Sequence, residues 1–214
     1  MRIYAVADIH GKEDRLARVE TAIERFQPDV AVVAGDITNY VGPSPVISRL
    51  GAMGVPVFCI GGNSDLGRVE ALLSETPGTT SLHMESILFN SVNFVGISGT
   101  IPLPFRSRVC LRENRALKAL APLMTERSIL VAHPPPLGTR DRVGGRFHAG
   151  STGLRHLVNQ GQPRMVICGH IHEDAGTTTL GQTIVVNCAM NRNLSGALID
   201  WDLEHPPSIE MVTL

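Results

Sequence analysis

Lysine is nearly missing from this chain: only Lys12 and Lys118 occur, and all other basic residues are arginines. A GC-rich genome would produce the same skew, although arginine's planar fork suits phosphate better than lysine's point charge. A surplus of charge is missing too. The formal net charge is -1 and the pI is near 6.7, which excludes a general attraction to nucleic-acid backbones or anionic membranes. The cysteines Cys59, Cys110, Cys168 and Cys188 form no CxxC pair. Three of them sit in apolar runs, as buried reduced thiols do. No apolar run approaches the roughly 20 residues that span a bilayer, and MRIYAVADIH reaches a charged motif by Asp8, unlike a signal peptide. A cytoplasmic protein with no membrane partner is expected. The patterns GxSxG, GxxxxGK[ST] and GxGxxG are also absent, which removes nucleophile-elbow, P-loop and dinucleotide readings.

What remains is a chain of 214 residues, 43% hydrophobic and 18% charged, sufficient for one domain, 1–214, with a real core. Apolar periodicity predicts strands at Ile3–Ala7, Val30–Ala34 and Val55–Ile60. Helices are predicted at Lys12–Phe26, Pro45–Met53 and Leu66–Ser74. That β-α-β-α-β order predicts parallel strands with helices on both faces. An antiparallel pair, Ser86–Phe89 and Asn93–Ile97, turns near Asn90-Ser91. A loop with Pro102 and Pro104, a helix Glu113–Leu123 and a strand Ser128–Ala132 follow. The stretch His133–Gly150, with three consecutive prolines and four glycines, is too long for a simple connector. Then come a helix Ser151–Gln160 with Ser151 as N-cap and strands at Arg164–Cys168, Thr177–Leu180, Thr183–Asn187 and Gly196–Leu203. A last strand, Ile209–Thr213, is placed at an edge.

The polar interruptions fall at strand ends. Asp8 and His10 follow the first strand, Asp36 the second and Asn63 the third. His133 follows the strand ending at Ala132, and His170 with His172 the one ending at Cys168. Sites in open α/β sheets form outside the carboxyl ends of strands. An extended backbone would point both members of Asp8-x-His10, and of His170-x-His172, to one side. Gly35, Gly61-Gly62 and Gly169 precede ligand positions and permit sharp turns. Imidazole, carboxylate and amide oxygen together suit Mn, Fe, Zn, Co or Ni, with manganese favoured.

The series DIH (8–10), GDITN (35–39), GGNSD (61–65), AHPPP (132–136) and GHIH (169–172) resembles the calcineurin-like metallophosphoesterase superfamily. Within it, HPPPLGTRDRVGGRFHAGS followed by CGHIHEDAGTTTLGQTIVVN is similar to small prokaryotic members of the phosphodiesterase-like branch. The resemblance implies a two-sheet αββα sandwich. It also implies two divalent cations, one held by Asp8, His10, Asp36 and His172, the other by Asp36, Asn63, His133 and His170. Asp36 would bridge cations roughly 3.5–4 Å apart, and a hydroxide between them would attack phosphorus in line.

One position departs from the pattern. Many family members carry His between Asn and Asp of the third motif, and this chain has Ser64, which cannot serve as an acid near neutral pH. Proton donation, worth 10²–10⁴-fold as a typical range, would have to come from elsewhere. His148 in the long loop is the candidate, with Ser64, Arg142 and Arg146 expected at the substrate. Asn39 is read as a turn former. Asp65 is read as a partner of the ligands or as the N-cap of the helix at Leu66. His83, His156 and His205 are read as structural or surface residues, and Arg106 and Arg108 as a solvated cluster. The expected function is hydrolysis of a small phosphoester or nucleotide, diesters over monoesters, with no long nucleic acid as substrate. The oligomeric state stays open and a homo-oligomer is compatible with the sequence. The rival from another class is a non-catalytic scaffold that binds metal and a protein partner.

Overall fold

A computed structural model describes residues 1–99 and 116–214. In chain order these hold β1 (Arg2–Val6), α1 (Glu13–Phe26), β2 (Val30–Ala34), α2 (Pro43–Gly51), β3 (Val57–Ile60), α3 (Arg68–Glu75), β4 (Thr79–Ser81), β5 (Ser86–Phe89) and β6 (Val92–Ile97). After a helical segment at 116–120 (α4) come β7 (Ser128–Ala132), β8 (Arg142–Val143), β9 (Phe147–His148), α5 (Thr152–Gly161) and β10 (Met165–Cys168). The chain finishes through β11 (Gly176–Leu180), β12 (Thr183–Asn187), β13 (Ala197–Asp200) and β14 (Ser208–Met211).

Two six-stranded sheets result, ordered β14-β13-β1-β2-β3-β4 and β11-β12-β10-β7-β6-β5. In the first, β1 to β4 run parallel. In the second, β12, β10, β7 and β6 do, and antiparallel strands finish the edges. Strand alternation assigns each face. Ile3, Ala5, Val30, Val32, Phe58 and Ile60 of the first sheet meet Phe94, Ile129, Val131, Ile167 and Val186 of the second in one buried core. The opposite parity, Tyr4, Val6, Ala31 and Val33, packs under Leu16, Val19, Ile47, Leu50 and Leu73 of α1–α3. Val95, Leu130, Val166 and Val185 do the same beneath Leu117, Leu120, Leu154 and Val158 of α4 and α5. This is the expected αββα sandwich, with one correction. Helices cover only the outer face of each sheet, because the inner faces satisfy each other.

Boundaries shift where local chemistry decides them. Pro43 starts α2 two residues early, since proline is preorganised for a first turn. α3 begins at Arg68, and Asp65 is not its N-cap: that place is taken by Gly67. Ser151 does cap α5, its hydroxyl accepting from the amide of Leu154. The strand expected at Gly196–Leu203 is confined to Ala197–Asp200, since Trp201 closes the core and turns away. β4 and the short β8–β9 hairpin were not anticipated. The apolar loop 101–105, Arg106, Arg108, Cys110 and the start of the helix expected at Glu113 lie outside the described residues. Cys59, Cys168 and Cys188 are buried free thiols. No helix among the described residues is long and apolar enough to cross a membrane.

Candidate metal centre

All seven sequence-predicted metal positions stand at carboxyl ends of parallel strands, four from the first sheet and three from the second. The extended geometry expected for the two x-spaced pairs is not what brings them together. Asp8, His10, Asp36 and His170 have φ of 62°, 55°, 51° and 71°, a left-handed conformation that short polar residues tolerate best. Each turns the chain sharply off its strand. The amides of Asp8, His10 and Gly11 then bond to the carbonyls of Gly35, Asp36 and Ile37, so the first two ligand loops lie side by side. Of the glycines that precede ligand positions only Gly35 has a positive φ. Gly62 and Gly169 serve close approach instead: a Cβ on them would lie 2.3 Å from Asp36 Oδ1 and from Ala7 Cβ respectively.

Asp8, Asp36 and His133 are buried. His172 Nε2 lies 2.9 Å and His10 Nε2 3.9 Å from Asp8 Oδ1. Asp36 Oδ2 lies 3.7 Å from His10 Nε2 and 3.5 Å from His133 Nε2. Asn63 Oδ1 is 3.1 Å from His133 Nε2. The His170 ring packs edge-on against His133 at 5.1 Å. Two compact ligand groups emerge, Asp8 with His10 and His172, and Asp8 with Asp36 and His133. Asp8 belongs to both groups, and Asp36 in the second also lies 3.7 Å from His10 of the first.

Burying two carboxylates this close costs several kcal/mol each unless positive groups surround them. Part of the compensation is backbone: the amide of His170 donates to Asp8 Oδ2 and that of Ser64 to Asp36 Oδ1. Burial opposes ionisation of Asp36, but the His133 hydrogen bond and charge, with His10, outweigh it and hold the carboxyl well below its usual range. Asp8 is depressed likewise, against burial, by His172 and His133. Burial lowers His133, yet Asp36 and Asp8 reverse this and raise it to about 9. His10 and His170 are lowered, mainly by burial.

A cation fits this donor set. His133 Nδ1 lies 2.8 Å from the Ala34 carbonyl, which can only accept, so Nδ1 carries hydrogen. Nε2 then faces two further acceptors, Asp36 Oδ2 and Asn63 Oδ1. Lone pairs of three atoms converge, and only a proton or a metal between them resolves the contact.

The remaining predicted residues have other surroundings. Ser64 is buried; its hydroxyl donates to the Thr38 carbonyl at 2.7 Å and lies 3.4 Å from His10 Nδ1, so it faces the ligands. Asn39 shapes the turn after Asp36 through its backbone, accepting from the amide of Val41. His148, Arg142 and Arg146 lie on the exposed β8–β9 hairpin. That hairpin is docked on the turn carrying His172: the amides of Arg142 and Gly144 donate to Asp174 and Glu173 at 2.9 and 2.5 Å.

Asp65 was read as a partner of the ligands, and three further supports, Asn187, Asn191 and Arg15, had no such reading. Asp65 Oδ1 accepts from the amide and hydroxyl of Thr38, and Oδ2 from the amides of Ile37 and Gly62. Asn187 donates to the carbonyls of Arg140, Ile171 and Asp174, and Asn191 to that of His172. Arg15 donates to the carbonyl of Asp8. The only sequence signal for Asn187 was its place as a polar residue ending an apolar strand.

Residues 1–174 match the model of the family described as calcineurin-like phosphoesterase. The chain belongs to that family, and as a member it is a metal-dependent phosphoesterase. An uncharacterized protein of Methanocaldococcus jannaschii is 30% identical over 198 residues, 87% of each chain. The fold is shared with a dimetal phosphatase from Danio rerio, at TM-score 0.69 and 13% identity over 99% of this chain and 95% of that one. It is also shared with an archaeal phosphodiesterase, at TM-score 0.60 and 13% identity over 99% and 100%.

Proposed function

We propose that the chain is a cytoplasmic hydrolase of small phosphoesters or nucleotides, diesters over monoesters, working with two divalent cations, manganese foremost. The observation that carries this is the position of Asp36 Oδ2 between His10 and His133, within 3.7 Å of both, a bridging place in a set of seven donors. When bound, two such cations supply Lewis acidity, acidify a water and clamp the oxygens of an in-line displacement. The chain's own residues do the rest. Asp8, His10 and His172 would hold one ion, and Asp36, Asn63, His133 and His170 the other, with Asp36 and Asp8 between. Ser64 aligns Asp36 through its amide and His10 through its hydroxyl. Arg142 and Arg146, exposed on the docked hairpin, meet the substrate's phosphate or its second ester arm, and His148 donates the proton that Ser64 cannot. The diester preference is supported by the resemblance of the segments after His133 and Cys168 to the phosphodiesterase-like branch. The fold shared with an archaeal phosphodiesterase supports the same reading.

Metal analysis of manganese-loaded protein, with hydrolysis of bis-p-nitrophenyl phosphate and p-nitrophenyl phosphate, tests the proposal. Faster turnover of the diester and its loss in Asp36→Asn are expected. Bound metal with no turnover of either ester would refute it in favour of a binding scaffold.

A further inference from the structure

Building on the phosphoesterase reading, we infer that Asp141 is a positioning residue that fixes His148 as the proton donor to the leaving oxygen. Asp141 is fully buried, and its two oxygens have separate partners. Oδ2 accepts from the amides of Gly138 and Gly150, both at 2.9 Å. Oδ1 lies 2.6 Å from His148 Nδ1. With two N–H groups already aimed at Oδ2, the carboxylate acts as acceptor throughout, so the shared hydrogen belongs to Nδ1. The ring's other nitrogen, Nε2, is left for chemistry on a side chain that is 45% exposed.

The surroundings tie this pair to the two loops that carry His133 and His172. From His133 the chain runs out through the prolines to Asp141, forms the hairpin and returns beside itself. Ser151 donates its amide to the Pro135 carbonyl, Leu137 its amide to the Ser151 carbonyl, and Ala149 its amide to the Asp141 carbonyl. On the other side the hairpin is bonded to Glu173 and Asp174, immediately after His172. The pair thus sits between two loops that carry candidate ligands. In the step assigned to it, water oxygen bonds to phosphorus and releases one proton to solvent, while the P–O ester bond breaks and its electron pair stays on the departing oxygen. The Nε2 proton of the imidazolium passes to that oxygen, and solvent reprotonates the ring.

Asp141→Asn is informative because asparagine has one carbonyl oxygen. The two glycine amides require it, which turns the NH₂ group toward Nδ1 and forces the neutral ring into the Nε2–H tautomer. Nitrogen-15 NMR of the metal-free chain should show Nδ1–H for wild-type His148 and Nε2–H in the variant. With manganese, rates on a diester with a p-nitrophenolate leaving group, which needs no proton, are compared with rates on a dialkyl ester. The alkyl-to-nitrophenyl ratio should fall about 100-fold in both Asp141→Asn and His148→Ala. The double variant should lose no more than either single one. A merely structural Asp141 would slow both esters alike, so an unchanged ratio, additive losses or an unchanged tautomer would overturn the inference. Wild-type protein that hydrolyses neither ester would overturn the phosphoesterase reading and this inference with it.

Discussion

Replacing Asp65 by asparagine keeps the side chain's shape and removes one acceptor oxygen. Four donors converge on the native carboxylate at 2.8–2.9 Å, three of them backbone amides. Whichever way the amide turns, its NH₂ faces at least one N–H that cannot accept, and the bonds that remain lose the carboxylate's charge, together equivalent to about two charge-assisted bonds. Each is worth roughly 1.5–3 kcal/mol. Asp65 is partly exposed, and water recovers some of this, leaving a net cost of about 2–4 kcal/mol. The same bonds tie the loop after Asp36 to the loop before Asn63, so manganese affinity should also fall, by about 10–100-fold. Urea unfolding of the metal-free chain measures the first quantity and calorimetric titration with manganese the second. A variant within about 0.5 kcal/mol of the parent, or one that is destabilised yet binds manganese as tightly, would refute the reasoning.

Three further outcomes follow from the geometry of the centre. His133 is raised to about 9, so below that pH its ring holds a proton that a metal must displace. Manganese affinity should therefore climb about tenfold per pH unit and level off near pH 9, with proton release visible by calorimetry in buffers of unlike ionisation enthalpy. The same group stabilises the metal-free fold fully below its unfolded value of about 6.5. That contribution is lost as pH rises from there through about 9, so the metal-free melting temperature should drop across this window; a rise would contradict the assignment. In Gly169→Ala the new Cβ would lie 2.3 Å from Ala7 Cβ and 2.6 Å from Asp8 Oδ2, forcing β1 and β10 apart at the site. A loss of about 1–3 kcal/mol with weakened manganese binding is expected from melting and titration.

The candidate metal positions stand out in the sequence because polar residues follow apolar runs there, as Asp36 follows Val30–Ala34 and Gly35. The layer order was partly legible. Runs such as VAVVA do not say which face meets a helix and which a second sheet, and only the packed parities settle it. The left-handed turns at Asp8, His10, Asp36 and His170 were hidden because aspartate and histidine accept both conformations, so spacing alone suggested an extended chain. Asp65 kept two readings, partner of the ligands and helix cap, because an acidic residue before a helical pattern resembles a cap; the structure has the first. Three of its four donors come from 27 and 28 residues away, the fourth from Gly62 close by. β4 was invisible because Thr-Thr-Ser has no apolar signal; pairing with β3 makes it a strand. The β8–β9 hairpin escaped for the same reason, with charged residues in strands of two.

The division of candidate ligands between the sheets has a consequence for biosynthesis. Asp8, His10, Asp36 and Asn63 leave the ribosome early, on strands that pair with near neighbours in sequence. His133, His170 and His172 come from the second sheet, and the last of them stands 164 residues after Asp8. A nascent chain cannot complete either ligand group until that second sheet has formed and closed over the first. Metal capture would then be a late event that reports a finished fold, and a translation arrest before His172 should yield a chain unable to retain manganese.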